Sequence, residues 1–360
     1  MPTKYELIKK KLLEDILAGK YAVNDKLPTE SELMQSFKVS RYTVRRAIGD
    51  LENDHYVYRI QGGGIFVDDW EKQESRTLKN KMIGVITTHI ANYIFPNIIT
   101  GIDRTISNNG YSLLLSNTQN DPRKERASLL KMMENNLSGL IIEPTQSAIN
   151  QENFDLYQKL QTLRMPVLFI NAHYEELNFP YVEVADTKGA ELLTNQLFTE
   201  GHQRILGIFK TDDLQGIHRM NGYIKSYQQH SAQSAFSEIL MFQTKDNMQT
   251  VFKRVAAILQ RDDRPTAVVC YNDQLAIQLI AFAKSLHLQV PHDLSIVGFD
   301  DYQLSAFVDP ALTTMAHPKE KMGHDAGALM LTMINHKPVE SVIYPPELVM
   351  RKSIRNITDK

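Results

Sequence analysis

The sequence lacks the features of a secreted or membrane-inserted protein. Its single cysteine, Cys270, excludes a disulfide framework, and the flanking VVC reads as a buried strand. No uninterrupted apolar run approaches the roughly 18 residues that a membrane-crossing helix needs, and residues 1–16 contain no apolar signal core. We therefore expect a cytoplasmic protein that has no contact with a membrane.

The sequence also lacks the short motifs of common enzymes. There is no Walker loop, no G-x-G-x-x-G, no H-E-x-x-H, no cysteine pair and no G-x-S-x-G. His317 and His324 have no third ligand at a zinc-like spacing. We expect neither a metal nor a cofactor, no catalytic residue, and a protein that is not an enzyme.

Positive and negative side chains nearly balance over the whole chain, but positive charge is concentrated in one stretch. The 360 residues carry a net charge of −2, and residues 1–70 contain 11 Lys and Arg against 11 Asp and Glu. Residues 38–49, KVSRYTVRRAIG, nevertheless carry four cationic side chains and no acid. A local cationic stripe is what phosphate binding requires. The alternative is a solvated helix face.

Residues 1–51 predict three helices. Tyr5, Ile8, Leu12, Ile16 and Leu17 form an apolar stripe on the first, which Gly19 is placed to end. Thr29 and Glu32 have the spacing of a capping box at the start of the second, whose buried side is Leu33 and Phe37. Ser40 is the N-cap of the third. The face of this third helix that packs against the core is predicted to comprise Val44, Ile48 and Leu51.

The third helix has the pattern of a recognition helix. Arg41 and Arg45 lie one turn apart on a face away from the apolar residues, where Arg contacts guanine edges or phosphates in helix-turn-helix proteins. Arg46 is predicted to contact a phosphate or to lie at the surface. Residues 55–67, HYVYRIQGGGIFV, then predict two strands around a glycine turn, with Gln61 near the DNA.

These stretches, PTESELMQSFKVSRYTVRRAIGDL and RIQGGGIFV, resemble the GntR-type winged helix over residues 3–67. Ile65 departs from the family, which usually has threonine after the last wing glycine. The resemblance implies a DNA-binding domain at residues 1–67. It implies DNA contacts at Lys4, Tyr5, Glu30, Arg41, Thr43, Arg45, Gln61 and Gly62.

The remainder of the chain predicts a charged linker and an α/β domain. Residues 68–81, DDWEKQESRTLKNK, have no apolar period and are read as a tether. Residues 82–360 alternate short apolar strands with helix-length segments, which indicates parallel sheets covered by helices on both faces. The predicted strands are MIGVITT, SLLLSNT, GLIIEP, PVLFIN, ILGIFK, EILMF, AVVCYN and LSIVGFD.

Polar side chains cluster at the carboxyl ends of these strands, where open parallel sheets bind ligands. They are Glu143, Asn171, His173, Asn272, Asp273, Asp300 and Asp301, with Arg219 in a following helix. Tyr93, Phe95 and Phe242 lie nearby in the sequence pattern. Donors, acceptors and aromatic faces together suit a carbohydrate. Each residue alone has a structural alternative, such as a helix N-cap for a strand-end aspartate or an ordinary loop position for His173.

The order of segments resembles the LacI/GalR-type effector domain over about residues 82–355, through SGLIIEP, MPVLFIN, EGHQRILGIF, PTAVVCYND and VPHDLSIVGFDD among others. The resemblance implies two lobes joined by three crossovers around an effector cleft. It implies effector contacts at Arg219, Asn272 and Asp300, and further ones at His173 and His317. Residues 68–81 offer no counterpart of the minor-groove hinge helix of that family.

With YIFPNI, IIEPT and YPPEL, the two parts together resemble the arabinose-responsive repressors of Gram-positive bacteria. That resemblance implies a homodimeric repressor of sugar utilisation genes that binds a roughly palindromic operator and is released by L-arabinose. One alternative is the same architecture responding to another pentose, a hexose or a nucleoside. The other is a solute-binding protein or an enzyme with an incidental DNA-binding head.

Overall fold

A computed structural model describes residues 4–54, 56–60, 63–69, 81–144 and 146–358. The contacts divide the chain into two compact units, Met1–Asn80 and Lys81–Lys360. Most of the predicted tether, residues 70–80, lies outside the described residues, so its bounds stay a prediction. Among the described residues, no helix is long and apolar enough to cross a membrane.

The first unit is a winged helix, as predicted. Its elements are α1 (Lys4–Leu17), α2 (Glu30–Phe37), α3 (Arg41–Asn53), β1 (Val57–Ile60) and β2 (Gly64–Val67). The two strands pair antiparallel, with Tyr58 opposite Phe66. Val44, Ile48 and Leu51 are fully buried, which confirms the predicted core face of α3. The prediction for Leu17 is wrong: α1 ends at that residue, and its side chain is 51% exposed.

Two side-chain caps fix where the helices of this unit begin. Thr29 accepts a hydrogen bond from the Glu32 backbone N–H, and Glu32 Oε2 accepts one from the Thr29 backbone N–H at 2.7 Å. Ser40 accepts a hydrogen bond from the backbone N–H of Thr43. The predicted capping box and N-cap are therefore confirmed.

The capping box gives a first stability prediction. Thr29→Ala should lower the unfolding free energy of the winged-helix unit by about 1 kcal/mol, because it leaves N–H groups in the first turn of α2 without a partner. Ser31→Ala, two residues further along the same helix, is the control and should change it by less than about 0.5 kcal/mol. Urea unfolding followed by circular dichroism measures both, and equal effects would contradict the capping argument.

The second unit has two lobes, each a six-stranded sheet with helices on both faces. Lobe 1 has the strand order β13-β7-β6-β5-β3-β4. Its strands are β3 (Met82–Thr87), β4 (Ser112–Asn117), β5 (Gly139–Ile142), β6 (Val167–Ile170), β7 (Tyr181–Val184) and β13 (Val342–Tyr344). Its helices are α4 (Phe95–Ser107), α5 (Pro122–Glu134), α6 (Ser147–Asn150), α7 (Phe154–Thr162) and α12 (Lys319–Ile334).

Lobe 2 has the strand order β14-β12-β11-β10-β8-β9. Its strands are β8 (Ile205–Lys210), β9 (Glu238–Phe242), β10 (Ala267–Cys270), β11 (Ser295–Asp300), β12 (Thr313–Ala316) and β14 (Leu348–Val349). Its helices are α8 (Asp186–Thr199), α9 (Leu214–Gln229), α10 (Met248–Leu259) and α11 (Asp273–Ser285), with 3₁₀ turns at Ser231–Phe236 and Gln303–Ala306.

The chain passes between the lobes three times, as the family resemblance implies. The crossovers follow β7, β12 and β13. Every pairing within the two sheets is parallel except the one between β12 and β14, which is antiparallel at an edge. The sequence pattern identified β8 to β11 but not β7, β12, β13 or β14, whose runs are short or interrupted by polar residues. The crossovers place the carboxyl ends of both sheets at one interlobe cleft.

Candidate functional site

The candidate DNA-binding surface is built around Glu30, at the start of α2. Arg45 Nε lies 3.1 and 3.0 Å from the two Glu30 carboxylate oxygens, and Arg41 Nε lies 3.9 Å from one of them. Both arginines remain largely exposed. A carboxylate between two arginines fixes their direction, and it is itself an acceptor suited to the N4 amino group of cytosine.

The other predicted DNA contacts lie near this cluster or outside the described residues. Lys4 and Thr43 border one shallow depression between α1, α2 and α3. The Arg46 guanidinium lies 4.0 Å from the centre of the Tyr5 ring, so Arg46 packs on Tyr5 while staying exposed. Gln61 and Gly62, at the predicted wing tip, lie outside the described residues. Tyr42, next to Arg41, is strongly exposed at the start of α3.

The second candidate site is a cavity of about 310 Å³ between the two lobes. This volume is at the lower end of the roughly 300–1,000 Å³ typical of ligand sites. Nine of the twelve candidate residues named from the sequence line it: Tyr93, Phe95, Glu143, Asn171, Arg219, Phe242, Asn272, Asp300 and His317. Polar and aromatic side chains from both lobes therefore converge on one space between the lobes.

Arg219 is the centre of the cleft's electrostatics. Only 4% of it is exposed, and its guanidinium donates to Asp186 Oδ1 at 2.7 Å and to Asp300 Oδ1 at 2.8 Å. A third hydrogen bond reaches the Tyr271 carbonyl at 2.8 Å, and the guanidinium stacks 3.8 Å from the centre of the Phe299 ring. These contacts engage some but not all of the five N–H groups of the guanidinium, and they hold Arg219 rigidly against the cavity wall.

The two carboxylates beside Arg219 differ in their pKa. Burial raises the pKa of Asp186 to about 7, although the charge of Arg219 opposes that change. Burial acts in the same direction on Asp300, but Arg219 and other nearby donors outweigh it and hold its pKa below the ordinary value. Asp300 also has a left-handed backbone, with φ at 98°, a strained conformation for a residue other than glycine. It is therefore the ionised acceptor of the cleft.

Direct contacts cross the cleft from lobe to lobe. The Tyr93 hydroxyl, on lobe 1, donates to Asp300 Oδ2 at 2.7 Å and accepts from the Asp273 backbone N–H at 3.2 Å. On another side, Asn120 Nδ2 donates to the Asp212 carbonyl at 2.7 Å and to Thr244 Oγ1 at 3.0 Å. These interlobe contacts connect the relative position of the lobes to the groups that line the cavity.

His173 departs from the prediction that it contacts the effector. The residue follows β6, but its Nδ1 lies 2.7 Å from Glu183 Oε1 and its ring stacks on Tyr181, with 3.9 Å between ring centres. It does not line the cavity. Its side chain instead turns toward β7, a strand that the sequence pattern did not reveal, and the loop-residue alternative describes it better.

Two other strand-end acids have structural surroundings. Asp273 is buried and accepts hydrogen bonds from Tyr302, Ser305 and Thr314, while Asp301 pairs with Arg351 at 2.7 Å. Neither lines the cavity. Asn272 has both roles, since it lines the cavity and its side chain caps α11 by accepting from the Leu275 N–H at 2.9 Å.

Several cavity residues were missed by sequence reasoning. Lys210, the last residue of β8, lies 2.9 Å from Asp213 in the loop that follows, and the Tyr271 hydroxyl donates to Asp213 at 2.8 Å. The rule used for the other strand ends would have found these three. Asn120 and Thr244 had no signal, because the contact between their loops depends on how the lobes close. No cluster of three or more His, Cys, Asp or Glu able to hold a metal occurs in the described part of the chain.

Comparison with known proteins adds the family context. Residues 4–67 match bacterial regulatory proteins of the gntR family, and residues 194–354 match the periplasmic binding protein-like domain. The chain is 42% identical over 359 residues to the arabinose metabolism transcriptional repressor of Geobacillus stearothermophilus, with 98% of each chain covered. It is 38% identical over 363 residues to a protein of the same name from Halalkalibacterium halodurans, with 98% of this chain and 97% of that protein covered.

Solved structures agree on the fold of the second unit. A LacI family transcriptional regulator from Enterococcus faecium, crystallised with bound ribose, superposes with a TM-score of 0.67. The match covers 77% of this chain and 100% of that chain, at 22% identity. An identity this low establishes the two-lobed architecture alone.

Proposed function

Because the chain belongs to the arabinose metabolism transcriptional repressors, we propose that L-arabinose is its effector and releases it from operator DNA. It is a sugar-responsive repressor with a GntR-type winged helix and a LacI-like effector domain. Its role is regulatory rather than enzymatic, as in those relatives.

The observation that carries the choice of effector is the chemistry of the interlobe cavity. Arg219 and Asp300 present a rigid donor and an ionised acceptor to a space of about 310 Å³. Phe95 and Phe242 supply aromatic walls for the C–H faces of a ring. Neutral polyols need this mixture of donors, acceptors and apolar faces.

We propose that the sugar acts through the interlobe contacts. It shares Asp300 with the Tyr93 hydroxyl, so binding and the relative position of the lobes are energetically linked. A ligand shifts a conformational equilibrium only as far as its affinities for the two states differ. A tenfold loss of operator affinity requires about 1.4 kcal/mol of coupling.

For the assembly we propose a homodimer whose two heads read a roughly palindromic operator, as twofold symmetry demands. Phe307, just after the 3₁₀ turn of lobe 2, is 84% exposed, and Leu304 in that turn is 47% exposed. An aromatic side chain of this exposure supports a protein interface, because Phe buries a large apolar area on association.

Phe307→Ser should weaken the homodimer. Losing an aromatic anchor at an interface costs about 2 kcal/mol or more, so the dissociation constant should rise about thirtyfold or more. Leu163→Ser, at a 57% exposed position on lobe 1, is the matched control. Its molar mass in solution should equal that of the wild type at every concentration. Multi-angle light scattering over a dilution series measures both. A Phe307→Ser protein with the wild-type mass would exclude this surface from the interface.

The effector proposal is tested by thermal melting of the purified protein against aldopentoses, hexoses and nucleosides. A ligand that binds the folded state at 100 times its Kd stabilises it by about 2.7 kcal/mol. A rise in Tm with L-arabinose and not with D-xylose or D-ribose is the expected result. A rise in Tm with another sugar or a nucleoside would mean that the protein is a repressor with a different effector. No rise in Tm with any of these ligands would contradict the assignment of the cleft as the effector site.

A further inference from the structure

His317 lies at the crossover that follows β12 and lines the interlobe cavity. Only 5% of it is exposed. Its Nε2 lies 3.2 Å from Asn171 Oδ1, whereas its Nδ1 has no hydrogen-bond partner among the described residues. Buried polar atoms in proteins nearly always have a partner, so the unpartnered ring nitrogen of a residue that lines a cavity points to a ligand group.

Asn171 is oriented by Glu143. Asn171 Nδ2 donates to Glu143 Oε1 at 3.0 Å, and Gln215 Nε2 donates to the same oxygen at 3.3 Å. The other oxygen accepts from the Thr88 backbone N–H at 2.9 Å and from the Thr88 hydroxyl at 2.7 Å. The Thr88 backbone N–H can only donate, so Oε2 is an acceptor, and in the ionised carboxylate Oε1 accepts as well. The amide of Asn171 must then turn its NH₂ toward Glu143 and its carbonyl oxygen toward His317.

The orientation of Asn171 fixes the tautomer of His317. A carbonyl oxygen only accepts, so His317 Nε2 must carry a proton and donate it to Asn171. Burial lowers the pKa of His317 to about 4, and the nearby charges of Lys319 and Arg219 act in the same direction while Asp300 opposes them. The ring is therefore neutral at pH 7, which makes Nδ1 a hydrogen-bond acceptor and nothing else.

We propose that Glu143 and Asn171 form a relay that holds His317 in its Nε2–H tautomer, so that the cleft selects effectors with a hydroxyl donor at Nδ1. The inference rests on the proposed function in taking a sugar as the ligand. Asn171 is a positioning residue in this relay, since it acts through His317. A site with a buried acceptor rejects an analogue that lacks the matching hydroxyl, because the acceptor is then left unpaired.

The relay predicts that Glu143→Gln reverses the tautomer. The fixed Thr88 N–H keeps the carbonyl oxygen of the new glutamine on its own side, so the glutamine NH₂ faces Asn171. Asn171 then turns its own NH₂ toward His317 Nε2, which has to accept, and the ring proton moves to Nδ1. No charged partner of His317 is added or removed at the ring itself, so a merely structural role for Glu143 predicts no such exchange.

The test is nitrogen-15 NMR of the sugar-free, full-length protein labelled at histidine, with His317→Gln to identify the His317 signals. The expected result is an Nε2–H tautomer in the wild type and an Nδ1–H tautomer in Glu143→Gln. An Nδ1–H tautomer in the wild type overturns the proposal, even if the variant does not fold. A folded variant that keeps the Nε2–H tautomer overturns it as well.

Calorimetry with L-arabinose and its single-deoxyfluoro analogues tests the consequence for selection, because a fluorine atom can accept a hydrogen bond weakly but cannot donate one. One analogue should bind the wild type about tenfold to a hundredfold more weakly than L-arabinose does, and Glu143→Gln, in which His317 Nδ1–H is the donor, should lower that ratio. Equal ratios in both proteins would overturn the proposed selection. If L-arabinose does not bind the wild type at all, the effector proposal fails, while the NMR result still decides the relay.

Discussion

Arg219→Ala should abolish the thermal response to L-arabinose and lower the unfolding free energy of the effector unit by about 3–5 kcal/mol. Arg219 is buried between Asp186 and Asp300, at 2.7 and 2.8 Å. Its removal leaves two carboxylates buried together without a cation, which costs far more than the loss of an exposed ion pair. The same change removes a rigid donor from the cavity wall.

The control for Arg219 is Arg204→Ala. Arg204 pairs with Asp263 at 2.8 Å, but both side chains are substantially exposed, so that pair is worth no more than about 1 kcal/mol. Chemical denaturation with and without L-arabinose distinguishes the two variants. An Arg219→Ala protein that keeps wild-type stability, or one that still responds to L-arabinose, would contradict the role given to this arginine.

The stability deficit of Arg219→Ala should depend on pH. Without the arginine, the folded-state pKa of Asp186, already raised to about 7, rises further, and that of Asp300 rises too. A carboxyl whose folded-state pKa exceeds its unfolded value stabilises the fold at low pH and loses that contribution as pH rises through the folded-state pKa. The deficit relative to wild type should therefore be smaller at pH 5 than at pH 8. A deficit independent of pH would mean that the two carboxylates are not the cause.

Arg45→Ala is the second change with a large expected effect, and it acts on operator binding alone. A base contact by arginine is worth about 1–3 kcal/mol, and a dimer loses two of them, so affinity for the operator should fall by roughly 2–6 kcal/mol. The Kd for L-arabinose should not change, because Arg45 belongs to the winged-helix unit and the cleft to the other.

Lys10→Ala is the matched control for Arg45→Ala. It also removes one positive charge from the winged-helix unit, from a strongly exposed lysine on α1. If Arg45 contacts a base, only its variant relaxes sequence preference. If Arg45 contacts a phosphate, affinity falls uniformly across sequences and the salt dependence decreases by about one ion. Equal effects of the two variants would argue that net charge, rather than Arg45 itself, sets operator affinity.

The winged helix was predictable because its signals are local. Thr29 and Glu32 are three residues apart, as are Ser40 and Thr43, so chain spacing alone sets the caps that the structure contains. The ion pair between Glu30 and Arg45 was not predictable in the same way. The two residues are 15 positions apart in the sequence and lie on different helices, so the geometry of the pair depends on how α2 and α3 pack.

The effector cleft was predictable where a residue lies at the end of a strand. Asp300 and Asn272 follow strands whose apolar runs are clear in the sequence, and both reach the cavity. His173 also follows such a strand, yet it pairs with Glu183 on β7, which the pattern did not reveal. A position at the end of a strand predicts that the residue lies at the edge of the sheet. It does not predict the rotamer of the side chain, which depends on the neighbouring side chains.

The roles of Asn171 and Glu143 needed the structure itself. Their sequence separation from His317 carries no signal, and the tautomer of a histidine follows from the donors and acceptors around it. The interlobe contacts of Tyr93 and Asn120 depend in the same way on the closure of two lobes. Long-range polar pairs of this kind are the part of a binding site that local patterns leave open.

The most direct test of the account is operator binding by the full-length protein as a function of L-arabinose. A duplex selected from a random pool by the sugar-free protein, labelled for fluorescence anisotropy, provides the operator. Operator affinity should fall at least tenfold at saturating L-arabinose, a coupling of about 1.4 kcal/mol, and should not change with D-ribose or D-xylose. Unchanged operator affinity at an L-arabinose concentration that raises the Tm would contradict the claim that the cleft controls the DNA-binding heads.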